Sequence, residues 1–242
     1  MDDGADTVVR ANDGTSLLRL MTWLSPAFPV GAYAFSHGVE AAIAEGRVRD
    51  GEDVFRWVST LLTEGSGRND LILLAEAFHA ERDGDPARLR DAADLCRALA
   101  GSKERREETM ALGRAFAGAA SPWFEGGADG PIEDGTLEGA GSDAAPYPVA
   151  VAIVAARQGI ALAPTLVAYA HGFAANLVSV ATRLVPLGQR EAVRVLHRLE
   201  PVILRAARHA KTSSLDDLGS AAFLSDIAAM RHETLEPRLF RS

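Results

Sequence analysis

The chain has 242 residues, 48% of them hydrophobic, which is enough apolar material for one well-buried domain. Its net charge of −8 disfavours general binding to nucleic acids, because an acidic surface repels phosphate backbones. The single cysteine, Cys96, excludes an intramolecular disulfide and any metal site built from several cysteines.

Apolar residues recur at helical spacing along most of the chain, which predicts a series of helices. An opening helix is expected to end at Ser25-Pro26. Later apolar runs fall at residues 54–62, 71–78, 89–99, 110–119 and 193–206. Start signals are predicted at Asn69-Asp70 and Asp85-Pro86, and Pro201 is expected to kink the last helix. Because the alternation typical of strands is absent, the sequence predicts an all-α fold, a single-domain helical bundle over residues 1–242.

Two segments are expected to lie outside this bundle. Residues 1–14 are predicted to be a flexible N-terminus. Residues 121–148 are predicted to form a long, mobile, acidic and glycine-rich surface loop, because residues 125–148 contain six glycines, six acidic residues and no basic residue.

Residues 160–182 contain no Asp, Glu, Lys or Arg and are long enough to span a bilayer. They also contain Thr165, His171 and Asn176, so we interpret them as a central buried helix of a soluble protein, with His171 as a hydrogen-bonded core histidine. The N-terminus is acidic, opposite to the basic start of a secretory signal, and a cytoplasmic location is expected.

The segment Ala34-x-Ser36-x-Gly38 is close to the nucleophile elbow of serine hydrolases. Such a serine follows a hydrophobic strand, whereas the residues before Ser36 include Pro26 and Pro29 and form no strand pattern. We therefore favour a structural Ser36 that caps the helix beginning near Val39, and keep a hydrolase as an alternative.

No cofactor or metal site is predicted. The six histidines stand singly, without the i, i+4 pair of a helical zinc site. His37 and His232 could contact a metal transiently, but hydrogen bonding is the favoured interpretation. No glycine-rich phosphate loop with its lysine is present, so nucleotide hydrolysis is not expected.

Two charged stretches have simple explanations. The run from Lys103 to Glu108 mixes signs at helical spacing, which is typical of a solvated helix face. The basic residues Arg205, Arg208, His209 and Lys211 lie near the predicted end of a helix, where positive charge complements the helix dipole.

The C-terminal tail, residues 231–242, follows the last helical pattern and yet contains Leu239-Phe240. Termini are normally polar and frayed, and aromatic and arginine side chains are the usual anchors of interfaces. We favour a tail that docks on a partner. The alternative is a tail that folds back on its own bundle.

Four segments together resemble one family. Ser25-Pro26-x-x-Pro29-x-Gly31, followed by Ser36-x-Gly38-x-Glu40, is similar to the N-terminal signature of the urease accessory protein UreF family. Residues 102–116, 176–189 and 226–240 resemble its middle, late and C-terminal segments. The four segments occur in order and span nearly the whole chain.

The resemblance implies a helical adaptor in nickel insertion into apo-urease rather than an enzyme. Its expected partners are the UreD/UreH accessory protein and the GTPase UreG, whose GTP hydrolysis it would regulate, and a homodimer is expected. Two alternatives remain open: a helical scaffold unrelated to nickel, and a serine hydrolase that uses Ser36.

The resemblance also assigns residues. It implies that the N-terminal signature is shaped by Pro26, Pro29, Gly31, Ser36, Gly38 and Glu40. It implies that the UreD/UreH partner is contacted by Arg231, His232, Glu233, Arg238, Leu239 and Phe240. We add Tyr33 to the partner-binding set and expect it to support Arg238, because an ordered tail needs a rigid platform.

Overall fold

A computed structural model describes residues 4–124 and 145–241, with side chains from residue 14 onward. Its helices are α1 Gly4–Trp23, α2 Val39–Ala44, α3 Gly51–Glu64, α4 Ser66–Asp83, α5 Pro86–Ala98, α6 Lys103–Ala120, α7 Tyr147–Arg157, α8 Leu162–Leu184, α9 Gln189–Thr212 and α10 Phe223–His232. Short 3-10 turns occur at Ala32–Ala34, Ser121–Trp123 and Leu215–Asp217. The described residues contain no strand, so the predicted all-α fold is confirmed.

Helix α4 is the centre of the bundle and packs against α3, α5, α7, α8 and α9. It buries side chains on several sides, including Leu71, Leu74 and Phe78. Helix α7 lies between α4 and α6, and its residues 148–155 are all buried. Burial of one continuous apolar core is the main term that stabilises such a bundle.

Side-chain caps set several helix starts, and the one at Asp85-Pro86 is a start that the sequence predicts. The Asp85 side chain accepts hydrogen bonds from the backbone N–H groups of Ala87 and Arg88, with Pro86 in the first turn of α5. Ser102 accepts from Arg105 N at the start of α6. The predicted start at Asn69-Asp70 is wrong, because α4 begins at Ser66 and the Asn69 side chain instead accepts a hydrogen bond from Gly219 N at 3.0 Å.

The uncharged segment forms α8, which buries Leu166, Ala170, Ala174 and Leu177 along one face. The predicted buried central helix is therefore confirmed. His171 is exposed, so its assignment to the core is wrong; an alanine-rich helix does not reveal from sequence which of its faces turns to the core. Within the described part of the chain, no helix has the length and apolarity needed to cross a membrane.

The two segments predicted to lie outside the bundle are described only in part. Residues 125–144 of the predicted acidic loop lie outside the described residues. The flanks of that loop belong to the fold, since Phe124 and Ala145 are buried and α7 begins at Tyr147. Helix α1 begins at Gly4, within the predicted flexible N-terminus, and the side chains of residues 1–13 are not described.

Two glycines of α6 offer a matched test of the packing between α6 and α7. A Cβ added at Gly113 would overlap the carbonyl oxygen of Ala145, whereas one at Gly118 would meet nothing within 4 Å. We expect Gly113→Ala to lower the free energy of unfolding by about 1–3 kcal/mol through overpacking. Gly118→Ala should raise it by up to about 1 kcal/mol through helix propensity. Urea denaturation of both variants checks this, and equal effects would contradict the close approach.

Candidate functional site

The N-terminal signature is a loop that brings α2 against α10. Gly31 and Gly38 adopt left-handed backbone angles, with φ of 78° and 76°. A Cβ at Gly38 would lie 2.7 Å from Ala229 N in α10, so only glycine permits this approach. Pro26 and Pro29 are exposed in the turns before it. The loop thereby places Glu40, in the first turn of α2, beneath the C-terminal tail.

The Glu40 carboxylate is buried and holds the tail with both of its oxygens. Oε1 accepts a hydrogen bond from Leu239 N at 2.6 Å. Oε2 accepts from Phe240 N at 3.0 Å and lies 2.8 Å from His232 Nε2. Hydrogen bonds to an ionised acceptor are the stronger kind, and a buried carboxylate is tolerated only when such donors satisfy it.

His232 is fully buried between two carboxylates. Its Nε2 faces Glu40 and its Nδ1 lies 2.8 Å from Glu104 Oε2. Each ring nitrogen of His232 thus lies within hydrogen-bond distance of a carboxylate oxygen. Arg238 forms an ion pair with the other oxygen of Glu104. We call Glu40, Glu104, His232 and Arg238, with the backbone N–H groups of Leu239 and Phe240, the tail clamp.

The end of the tail is anchored on the signature loop. Phe240 is buried, with the Arg183 guanidinium 5.1 Å above its ring centroid. Arg183 Nη1 donates to the Tyr33 carbonyl at 3.4 Å, and Arg241 N donates to the Ala34 carbonyl at 2.7 Å. In this structure the tail folds back on its own bundle, which is the second of the two arrangements considered from the sequence.

The expected support between Tyr33 and Arg238 is not observed. Arg238 pairs with Glu104, and the residue that joins the loop around Tyr33 to the tail is Arg183. This contact could not be predicted from the sequence, because Arg183 lies at the end of α8, far along the chain from both Tyr33 and the tail.

The remaining predicted partner-binding residues lie around the tail clamp. The Glu233 side chain accepts from Lys103 N at 2.8 Å and so helps to cap α6. Arg231 pairs with Glu45 at 2.7 Å on the surface. The side chains of Tyr33 and Leu239 are 64% and 76% exposed. The predicted set thus divides into buried anchors, His232 and Phe240, and exposed side chains beside them.

Ser36 has a structural environment. It is fully buried, and its Oγ accepts a hydrogen bond from Glu40 N at 3.5 Å, in line with the predicted capping role. No strand precedes it, and none occurs elsewhere in the described residues, so the strand-turn-helix geometry of a nucleophile elbow is missing.

The interpretation of residues 103–108 as a solvated face is wrong for half of them. The side chains of Glu104, Arg105 and Glu108 are 13%, 12% and 1% exposed. Arg105 Nη1 lies 2.6 Å from Glu108 Oε2 and 3.1 Å from His37 Nε2, which is itself 2.9 Å from Glu108 Oε1. His37 Nε2 is therefore within hydrogen-bond distance of two α6 side chains, Arg105 and Glu108, as the favoured interpretation of His37 expects.

A cavity of about 200 Å³ lies beside this cluster and is lined in part by His37, Asp70, Cys96 and Arg105. Tyr169 donates its hydroxyl to Asp70 at 3.1 Å. Although Asp70 borders the cavity, desolvation by the surrounding protein raises the pKa of its carboxyl group, against the opposing charge of Arg105. Among the described residues, no group of three or more His, Cys, Asp or Glu side chains is arranged to hold a metal ion.

Comparison of the sequence with known proteins matches the chain to a family. The UreF family model matches residues 48–200. A urease accessory protein UreF from Bradyrhizobium sp. strain BTAi1 is 47% identical over 95% of this chain and 93% of its own length. One from Rhodopseudomonas palustris strain BisA53 is 45% identical over the full length of both chains. The chain belongs to the UreF family of urease accessory proteins. A further UreF, from Rhizobium leguminosarum bv. trifolii, is 48% identical over 94% of the chain.

Membership of the UreF family confirms the resemblance inferred from the four segments. The family model ends within α9, before the tail. The match to the Rhodopseudomonas palustris relative covers all of this chain, the tail included.

The tail clamp predicts a large effect of Glu40→Gln. The amide removes one of the two carboxylates beside His232 and turns an N–H₂ group toward donors, which costs about 3 kcal/mol of tail docking. We expect the Leu239 and Phe240 amides to exchange with solvent roughly a hundredfold faster by hydrogen-exchange mass spectrometry. Glu45→Gln, which removes the acceptor of the exposed Arg231 pair, is the control and should leave their exchange unchanged. Unaltered exchange in Glu40→Gln would contradict the clamp.

Asp70 predicts a pH dependence of stability. Because its folded-state pKa is raised, the folded chain binds the proton more tightly than the unfolded chain. Its contribution to the free energy of unfolding therefore falls as pH rises above about 4, the unfolded pKa. We expect the unfolding free energy of the wild type, relative to Asp70→Asn, to decrease from acidic to neutral pH in denaturant titrations. A constant difference would show that folding leaves the pKa of Asp70 unchanged, and an increase with pH would show that folding lowers it; either result would contradict the raised pKa.

Proposed function

We propose that the chain is a non-enzymatic adaptor in urease maturation, required for nickel incorporation into apo-urease. It joins the UreD/UreH accessory protein to the GTPase UreG, and regulates GTP hydrolysis by UreG. The adaptor works as a homodimer in the cytoplasm. Its own contribution to the pathway is to bring these proteins together, with no bound cofactor of its own.

The observation that carries this proposal is the exposed edge of an ordered tail. Leu239 lies between Arg238 and the buried Phe240, and its backbone N–H is held by Glu40. Its side chain nevertheless faces solvent, as does that of Tyr33. Apolar and aromatic side chains that are exposed on a fixed backbone bind a partner with little loss of conformational entropy.

The residues of the proposed interface have two roles. Tyr33, Arg231, Arg238 and Leu239 are exposed and contact the UreD/UreH partner directly. His232, Glu233 and Phe240 contribute by holding the tail, since His232 and Phe240 reach the core and Glu233 caps α6. An adaptor needs such a shaped surface rather than a catalytic pocket, which agrees with the buried and fully packed Ser36.

A change confined to exposed side chains tests the interface without disturbing the fold, whereas deletion of the tail does not. Deleting residues 231–242 would remove partner contacts and also leave Glu40 buried without its donors. The double variant Tyr33→Ala/Leu239→Ala changes exposed side chains only. We expect it to weaken binding to UreD/UreH at least tenfold, as the loss of interface hot spots does. Isothermal titration calorimetry measures the affinity, and circular dichroism checks that helicity is kept.

Val193→Ala is the matched control, since Val193 is also 64% exposed but lies on α9. It should bind as the wild type does. Wild-type affinity of the double variant would contradict the tail interface. Absence of any complex between the wild-type chain, UreD/UreH and UreG would reduce the proposal to a helical scaffold unrelated to nickel.

A further inference from the structure

The outer face of α9 changes character along its length. In the first half, Arg194 pairs with Glu191 at 3.0 Å, and Arg198 pairs with Glu52 of α3 at 2.8 Å. Beyond Glu200, residues 201–212 contain no acidic residue. Arg205, Arg208 and Lys211 are exposed there, and none of them has an ion pair or side-chain hydrogen bond within the described residues.

The helix dipole does not account for all of this charge. Its influence is confined to the last turn of a helix, where it favours Lys211. Arg205 lies about two turns before the end of α9 at Thr212. Among the residues that the structure describes, Arg205 and Arg208 thus have no acidic partner, in a protein whose net charge is −8.

An apolar side chain lies within this charged face. Leu204 is 44% exposed and stands one turn before Arg208 on the same side of the helix. Arginine is enriched at protein interfaces relative to the rest of the surface, whereas lysine is depleted there. We call Leu204, Arg205, Arg208 and Lys211 the α9 basic patch.

We propose that the α9 basic patch docks an acidic surface of a protein partner in urease maturation. This inference rests on the proposed adaptor function and adds a second contact, separate from the tail. Leu204 provides a small apolar anchor, and the three cations attract and orient the acidic partner. A patch of this size contributes mainly to the rate of association and to its salt dependence.

Other binding partners fit the α9 basic patch less well. Recruitment to anionic membranes through a polybasic segment takes about four to eight Lys or Arg residues, and the patch has three in a chain of net charge −8. Nucleic acid is disfavoured by the same net charge. A second copy of this chain would meet the patch with its own copy only if the two-fold axis of a dimer passed through it, and arginines would then face arginines.

Two double variants, each of which removes two charges from α9, test the patch. Arg205→Gln/Arg208→Gln removes two charges that have no ion pair within the described residues. Arg194→Gln/Arg198→Gln removes two charges that are already paired. Purified UreG, UreD/UreH and apo-urease serve as probes. Stopped-flow association with each is measured at low and high salt, and the helicity of both variants is checked by circular dichroism.

We expect Arg205→Gln/Arg208→Gln to slow association with at least one of the three proteins about tenfold at low salt. The difference should vanish at high salt, and the control variant should stay within about twofold of the wild type. Equal rates for both variants and all three probes, with the tail-dependent complex still formed, would overturn the patch but leave the adaptor function intact. Failure of the wild-type chain to bind any probe would overturn both.

Binding to vesicles that contain phosphatidylglycerol tests the membrane alternative. Binding of the wild-type chain to them, lost in Arg205→Gln/Arg208→Gln, would assign the patch to a membrane and overturn the proposed protein contact. No vesicle binding by either form is the expected result.

Discussion

The arrangement of the N-terminal signature and the C-terminal tail depends on one buried carboxylate, that of Glu40. Glu40 is placed under the tail by a glycine-dependent loop, and in that position its carboxylate must find donors or destabilise the fold. It finds them in His232 and in two backbone N–H groups of the tail. The need to satisfy this carboxylate therefore explains why a sequence so close to the C-terminus is ordered against the N-terminal signature, and why Gly38 has to be a glycine.

The tail clamp also links segments that resemble the family in four separate places. Glu104 belongs to the middle segment and binds His232 and Arg238, while Arg183 of the late segment covers Phe240 and reaches the loop around Tyr33. Segments that are far apart in sequence thus form one structural unit. An adaptor benefits from such a unit, since a preorganised surface loses less entropy when a partner binds.

The sequence predicts the helical class and the start of α5, because a side-chain cap such as Asp85 is a local signal. It also indicates that the tail makes contacts, because Leu239-Phe240 is an apolar pair in a segment that is usually polar. It does not predict the partners within the clamp, since Glu104 lies in a run of mixed charge and its burial depends on the tail returning to α6. Nor does local pattern reveal that His171 is exposed or that Asn69 bonds to Gly219, because both depend on how helices are oriented in three dimensions.

The central claim is that the tail is ordered in the free chain and becomes covered when the UreD/UreH protein binds. Hydrogen-exchange mass spectrometry of residues 231–241, with and without that protein, tests it most directly. The account predicts slow exchange at the Leu239 and Phe240 amides in the free chain, and additional protection of the tail and of the loop around Tyr33 in the complex. Rapid exchange of the tail in the free chain, or a complex that leaves tail and loop unprotected, would contradict it.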